Sequence, residues 1–296
     1  MKRVAFLTAT CMLPGRPETR ADHWEHDLEF NPMRDTCAAR DIELVEVVWD
    51  DPELDPTGFD AFVIGTTWDY TRRPAAFLDR LATISAARPL FNPLPIVRWN
   101  LDKSYLRDLA GRGAPVPPTV WAERADEPAI RAAFDVLDAD DIVIKPIVGA
   151  GAWRQARLRR GEAIPPSEDL PPERALIQSF LPSASSEGEY SFVFFDRVFS
   201  HCALKVPKAG DYRVQSIFGA RERPHTPTAD ELTAAQGVLS AVDGPLLYAR
   251  VDMLRDASGA LTLMELELIE PYLYPEQGPE MGAAFAAALG RMVGHE

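Results

Sequence analysis

Cysteine is scarce: three residues (Cys11, Cys37, Cys202) are scattered through 296 positions with no CxxC spacing. That argues against a disulfide framework or a structural zinc site. Positive charge is also short. The chain has 31 Lys and Arg against 45 Asp and Glu, a formal net charge of −14, which disfavours nucleic acid and anionic membranes as partners. It has no apolar run long enough to span a bilayer. The basic start before Val4–Leu7 superficially resembles a signal peptide, but Thr8, Thr10 and Pro14 soon interrupt it. A buried first strand is the better reading, and the cytoplasm is the expected location. No GxGxxG follows that strand and no GxxxxGK[ST] occurs, so the dinucleotide-binding fingerprint and the Walker A loop are both missing. No Ser/His/Asp or Cys/His arrangement is evident. His23 and His26 lack a nearby third ligand and read as ordinary helix residues rather than metal ligands.

What is present suits a soluble globular protein of two or three compact units, with 46% apolar residues. Val4–Leu7, Ile42–Trp49 and Ala61–Gly65 read as strands. A helix fills the interval before Ile42, and Pro74–Ile84 forms another, with Phe77, Leu78 and Leu81 on one stripe. Strands alternating with helices predict an α/β unit with a parallel sheet, closed by Leu90 to Pro93. Next, Asn100 is expected to cap a helix running to Gly111, with Leu101, Tyr105 and Leu109 at helical spacing. Asp141–Pro146 is a strong strand followed by the small-residue loop Gly149–Ala152. The segment Pro165–Pro172 reads as a surface connection, and strands at Ala175–Phe180 and Glu189–Phe195 follow. Gly282–Met292 reads as a packed terminal helix.

The most informative stretch is the hairpin of Tyr248–Arg255 and Leu261–Leu268. Strand side chains alternate faces, so Leu247, Ala249, Val251 and Met253 are expected to share a face with Met264, Leu266 and Leu268. Arg250, Asp252, Glu265 and Glu267 fall on the other. A turn centred on Asp256–Gly259 sets Arg250 opposite Glu265 and Asp252 opposite Leu263. Carboxylates at this density suit Mg²⁺, a hard cation usually shared with substrate phosphates. Taken alone, the hairpin equally fits a solvated face with ordinary ion pairs.

Other residues add to it. Lys145 ends its strand four positions before Gly149, where backbone N–H groups can approach phosphate oxygens. The segment Leu176–Pro182 is apolar enough to lie buried and offer its backbone to an adenine edge. Glu189, at the start of the next strand, could accept ribose hydroxyls. Each feature alone has an ordinary structural explanation; their order is far more specific. A helix lysine (Lys103), a strand lysine, a small-residue loop, a buried connector, an acidic strand start and an Arg/Asp…Glu/Glu hairpin succeed one another. This succession resembles the ATP-grasp superfamily, particularly its carboxylate–amine ligases, over roughly residues 95 to 275.

The resemblance implies an α/β fold in which an N-terminal domain with a parallel sheet (1–94) precedes a two-subdomain ATP-grasp unit (95–172 and 173–296). It implies that Lys103, Lys145 and the Gly149, Ala150, Gly151, Ala152 loop bind ATP phosphates. Gln178, Phe180 and Leu181 would frame adenine, and Glu189 would hold the ribose, with Glu187 as the competing choice. Asp252, Glu265 and Glu267 would hold Mg²⁺, with Mn²⁺ as an alternative ion. The family usually has Asn where Glu267 stands, so this chain adds negative charge beside the phosphates. Arg250 would stabilise the transferring phosphoryl group, Arg213 would lie near the γ-phosphate or the substrate carboxylate, and Lys205 is a similar candidate. The implied chemistry is activation of a carboxylate as an acylphosphate and its capture by an amine, mainly through positioning and electrostatics.

Substrate choice must come from elsewhere. Trp68, Asp69 and Tyr70 follow the third strand, where open parallel sheets place their crevices, and Asp69 between two rings could take an ammonium. A capped helix start with packed rings explains them equally. Glu270 and Tyr272 are better placed as a substrate wall. The segments 68–70, 98–103 and 265–271 look most like the O-ureido-serine cyclo-ligases of cycloserine biosynthesis. That implies a small amino-acid-like substrate, with a homodimer as a possible assembly. An intermolecular amino-acid ligase and a non-catalytic nucleotide-binding module are the competing readings.

Overall fold

The computed structural model describes residues 1–149, 151–208, 210–213 and 219–294. The chain begins with β1 (Lys2–Thr8), α1 (Trp24–Ala38), β2 (Ile42–Val48), β3 (Ala61–Ile64), α2 (Pro74–Ala87) and β4 (Leu90–Phe91). These strands form the expected parallel sheet, in the order β2-β1-β3-β4. The continuous apolar runs of β1 and β3 fit burial on both faces. Phe62, Phe77, Leu81 and Ile84 are fully enclosed on one side. On the other, Phe6, Phe30 and Met33 pack with Leu247 and Phe285. Burying a side chain of this size contributes about 1.5–3 kcal/mol, so this layer is locked to the C-terminal part of the chain rather than tethered beside it.

Next come α3 (Leu94–Asn100), α4 (Tyr105–Gly111), β5 (Thr119–Ala122), α5 (Glu127–Val136), β6 (Asp141–Pro146), β7 (Ala156–Arg159) and β8 (Ala175–Ser179). The single helix expected over 100–111 is two helices. Asn100 ends the first instead of capping the second, and Lys103 lies in the turn between them. Strands β5 to β8 make an antiparallel sheet in the order β5-β8-β6-β7.

The rest is α6 (Ser183–Ser186), β9 (Glu189–Phe195), β10 (Val198–Val206), β11 (Arg221–His225), α7 (Ala229–Ser240), β12 (Tyr248–Arg255), β13 (Leu261–Glu267) and α8 (Met281–Met292). Its sheet runs β11-β10-β9-β12-β13, all antiparallel. A reciprocal capping box between Thr228 and Glu231 starts α7.

The hairpin register differs from the expected one. Arg250 faces Glu267 and Asp252 faces Glu265, with a bulge between Asp252 and Met253. Two local causes account for the shift. Gly259 takes a left-handed φ of +86°, and the Asp256 N–H donates to the Ala260 carbonyl at 2.9 Å, so the loop is one residue longer than a two-residue turn built on the same centre. Met264 is the extra residue of the bulge, which moves it off the apolar face and lets Leu263 and Leu266 both enter the core. Strand β13 lies at the sheet edge, and its free backbone groups are covered. The Asn100 amide donates to the Leu266 carbonyl at 2.8 Å and accepts from the Leu268 N–H at 2.9 Å. The Leu263 N–H donates to the Pro115 carbonyl at 2.6 Å. An edge pinned this way makes a rigid floor.

Candidate active site

One face of the last sheet carries a lattice of alternating charge. Across neighbouring strands, Ser191 stands opposite Asp252 and Asp252 opposite Glu265, while Lys205 stands opposite Glu189. Arg250 donates to Asp252 at 2.9 Å, to Glu267, and to the Tyr272 carbonyl at 2.9 Å. Lys205 pairs with Glu189 and reaches Asp252 at 3.3 Å. The Ser191 hydroxyl donates to Asp252 at 2.6 Å, and Lys103 pairs with Glu265. The Tyr274 ring sits under both cations, 5.4 Å from the Arg250 guanidinium and 5.9 Å from the Lys205 ammonium.

These neighbours set the ionisation of the group. Burial alone would push the Asp252 carboxyl up, but Arg250 and then Lys205 outweigh it and hold it at about 2. Glu265 is likewise lowered against its burial, by Lys103. Burial pushes Glu267 up to about 7, and Glu265 and Asp252 add to that against the pull of Arg250. Burial raises Glu270 well above the carboxylate range, followed by the charge of Glu267. The face therefore holds more carboxylate than its own cations neutralise.

The middle sheet supplies the opposing wall. The Lys145 ammonium, lowered chiefly by burial, lies 3.5 Å from the Gln178 amide oxygen, and Gln178 donates to Thr119 at 3.0 Å. The Lys103 N–H donates to the Ile147 carbonyl at 2.9 Å, so the two lysines are tied through the backbone. Gly151 and Ala152 in the loop after β6 both take left-handed φ, +61° and +57°; Ala150 lies outside the described residues. Phe180 and Leu181 follow β8 and are half-buried. The Arg157 guanidinium stacks 3.4 Å from the Phe180 ring, which meets Tyr212 edge-on.

Several expected residues are engaged elsewhere. Arg213 forms a bidentate pair with Asp211, 2.7 Å at its shorter contact. Glu187 accepts from Arg255 at 2.9 Å and from Tyr190, whereas Glu189 points to Lys205 on the charged face. Asp69 accepts from the Trp49 indole at 2.8 Å and from Arg73 at 3.0 Å. Trp68, Tyr70, Glu270 and Tyr272 do come together. The Trp68 indole donates to the Glu270 carbonyl at 3.0 Å, Tyr70 hydrogen-bonds the Glu270 side chain, and Trp68 meets Tyr272 edge-on at 6.1 Å. His26 is a buried structural residue between Thr66 and Glu46, 2.6 Å from each.

Three residues escaped the sequence reading. Ser191 follows Glu189 by one strand period and could have been placed on the charged face by alternation. Arg157 and the buried Glu29, which accepts from the Leu273 N–H, had no local signal, because packing between distant segments brings each to its partners. As the side chains stand, cations hold the carboxylates, and among the described residues no three potential ligands draw together around a metal position. The donor chemistry of Asp252, Glu265 and Glu267 nonetheless fits Mg²⁺, which takes carboxylate oxygen.

Comparison with known proteins places this geometry. Residues 4–92 match the family described as "D-cycloserine synthetase DcsG, N-terminal domain". The chain is 32% identical over 283 residues to the cycloserine biosynthesis protein DcsG of Streptomyces lavendulae, covering 89% of this chain and 93% of that protein. The crystal structure of D-cycloserine synthetase DcsG superposes with a TM-score of 0.85 at 28% identity, over 98% of this chain and 99% of that one. The ATP-grasp ligase PsnB, solved with a phosphomimetic precursor variant, Mg and ADP, shares the fold at a TM-score of 0.66 and 15% identity, over 97% and 98% of the two chains. The expected superfamily and its mixed α/β architecture are thus met, and the chain belongs to the DcsG family of ATP-grasp ligases, as an ATP-dependent enzyme that forms C–N bonds.

Proposed function

We propose that the enzyme activates the carboxylate of a small amino-acid-like molecule and closes that molecule on itself, as an O-ureido-serine cyclo-ligase does. The carboxylate oxygen takes the γ-phosphoryl group of ATP and ADP leaves. The distal nitrogen of the same molecule then attacks the acyl carbon, its proton passes to solvent, and phosphate departs. The observation that carries this reading is the kinship with DcsG across 93% of that protein.

In this reading Lys103, Lys145 and the Gly149–Ala152 loop hold the phosphates, and Gln178, Phe180 and Leu181 frame adenine. Glu189 takes the ribose in preference to Glu187, because Glu189 lies on the charged face beside Lys205, whereas Glu187 is held by Arg255 and Tyr190. Asp252, Glu265 and Glu267 would hold Mg²⁺, which would offset phosphate charge, and Lys103 stands beside them against Glu265. Arg250, fixed by two carboxylates and a carbonyl, steadies the transferring group, with Arg213 as its partner in that role. Mn²⁺ in place of Mg²⁺, a homodimer and a cytoplasmic location extend the same reading from family resemblance. Among the described residues no helix is long and apolar enough to cross a membrane.

The test is ADP release with O-ureido-D-serine alone and with amino acids singly and in pairs. Turnover with one substrate is expected. An obligatory pair would replace cyclisation with intermolecular ligation.

A further inference from the structure

The carboxylates of the charged lattice share a property that Glu270 lacks. Asp252, Glu265, Glu267 and Glu189 each have a lysine or arginine within 4 Å. Glu270, three residues beyond Glu267, has no lysine or arginine within 4 Å among the described residues; its side chain meets the neutral hydroxyl of Tyr70, and Lys103 acts on it only from beyond that distance. A half-buried carboxyl without a cation in contact is costly to ionise unless something arrives to pair with it.

The surroundings hold it in place. The Trp68 indole fixes the backbone at Glu270, and the Trp68 and Tyr272 rings flank the same corner. The other acid of the corner, Asp69, is spent on Trp49 and Arg73. On the turn that carries Tyr70, the Thr67 hydroxyl is the one fully buried side-chain polar atom without a hydrogen-bond partner among the described residues. The Tyr70 N–H donates to the Thr67 carbonyl at 3.0 Å, so the two residues move as one unit. A carboxylate and two ring faces suit a compact cation with several N–H donors.

We propose that Glu270, held by Tyr70, receives the α-ammonium of the substrate and so determines its specificity; the proposal rests on the amino-acid ligase reading above. It fixes which molecules enter and how they lie. Within one molecule the α-nitrogen could meet its own acyl carbon only by closing a three-membered ring, so the distal nitrogen is the nucleophile, and holding the α-nitrogen as ammonium also keeps it from attacking the acylphosphate of a second molecule. The α-ammonium and the carboxylate are separated by one carbon. An anchor next to Glu267 therefore delivers the carboxylate to the metal and phosphate row.

The test uses Glu270→Gln and Tyr70→Phe in the full chain, with Mg-ATP binding by calorimetry and thermal unfolding as controls. For O-ureido-D-serine, Glu270→Gln should raise KM at least 30-fold while the KM for ATP stays within twofold; Tyr70→Phe should raise it about threefold to tenfold. N-acetyl-O-ureido-D-serine lacks the cation. The wild type should reject it strongly, and Glu270→Gln should treat it and the parent within threefold. An unchanged substrate KM, or undiminished rejection of the acetylated compound, overturns the proposal. If wild type releases no ADP from O-ureido-D-serine, cyclisation of that substrate is what fails. The anchor is then read by calorimetric binding of D-serine to the ATP-loaded protein. Binding weakened tenfold by Glu270→Gln supports it, and equal or absent binding overturns it.

Discussion

The wall on the last sheet and the wall toward the parallel sheet treat enclosed charge in opposite ways. On the last sheet, Asp252, Glu265, Glu267 and Glu189 interlock with Lys103, Lys205 and Arg250. Toward the parallel sheet, Glu29 is 2% exposed and accepts a hydrogen bond from the Leu273 N–H, and Glu270 meets Tyr70; neither has an ion-pair partner among the described residues. The paired wall is built before any ligand arrives, and its geometry is over-determined. The other wall leaves Glu270 without a cation in contact, as expected where a substrate brings its own.

The sharpest way to break the contrast is to open the paired wall. Arg250→Ala leaves Asp252 and Glu267 buried without their main counter-charge. Removing one partner of a buried pair costs about 3–5 kcal/mol, so the melting temperature should fall on the order of 10 °C. A change of only a degree or two would show that the lattice contributes little to the fold.

The unpaired wall should answer in the opposite direction, and with pH. Burial pushes Glu29 up to about 8, against the pull of the Leu273 N–H. Between about 4.5, the value of an unhindered Glu, and about 8, the folded state holds a proton that the unfolded chain has released. Wild-type stability therefore falls as pH rises through that window. Glu29→Gln keeps an acceptor for Leu273 and carries no charge. Its advantage in thermal unfolding should be small at pH 5 and largest at pH 8. A pH-independent difference would mean that Glu29 finds compensation on this wall after all.

Lys145 tests the nucleotide side from the facing sheet. Its one described side-chain hydrogen bond is the 3.5 Å contact to Gln178, so Lys145→Ala should scarcely alter stability. A charged hydrogen bond contributes about 1.5–3 kcal/mol, and Mg-ATP affinity by calorimetry should fall ten- to a hundredfold. Unchanged affinity in the folded variant would remove Lys145 from the phosphate site.

The paired wall was also the more legible one, for a physical reason. Its residues sit on adjacent strands, so period-two alternation places Arg250, Asp252, Glu265 and Glu267 on one face even though the expected register was wrong. Alternation fixes the face, but the turn and the bulge at Met264 fix the partner, and both depend on backbone conformation. Asn100 shows a similar limit. Before a helical pattern it reads as a cap, yet its amide completes the edge of β13, a strand far away in sequence. The parallel sheet and its helices were readable from apolar runs, whereas β5, α5, β10 and α7 lacked an equally clear signal. The unpaired wall was least readable of all. That Asp69 is occupied and Glu270 is open depends on Trp49, Arg73 and Tyr70, whose meeting is tertiary.

Glu265 offers the finest distinction between the walls, because it is both paired and a metal-ligand candidate. Its carboxylate meets Lys103, and the Glu265 side chain is 35% exposed, so the pair is partly screened and contributes little to stability. Glu265→Gln retains an acceptor for Lys103 and nearly the same volume, so thermal unfolding should shift by no more than a few degrees. It removes one formal charge from the row where the metal would sit. Turnover should fall at least tenfold, which corresponds to about 1.4 kcal/mol in the barrier. Single-turnover ADP formation at saturating Mg²⁺, measured on the same preparation as the unfolding curve, separates the two roles. A loss of stability like that of Arg250→Ala, with turnover retained, would make Glu265 a structural member of the lattice. A loss of turnover with the fold intact means that its partnership with Lys103 is provisional, held until Mg²⁺ and ATP replace it.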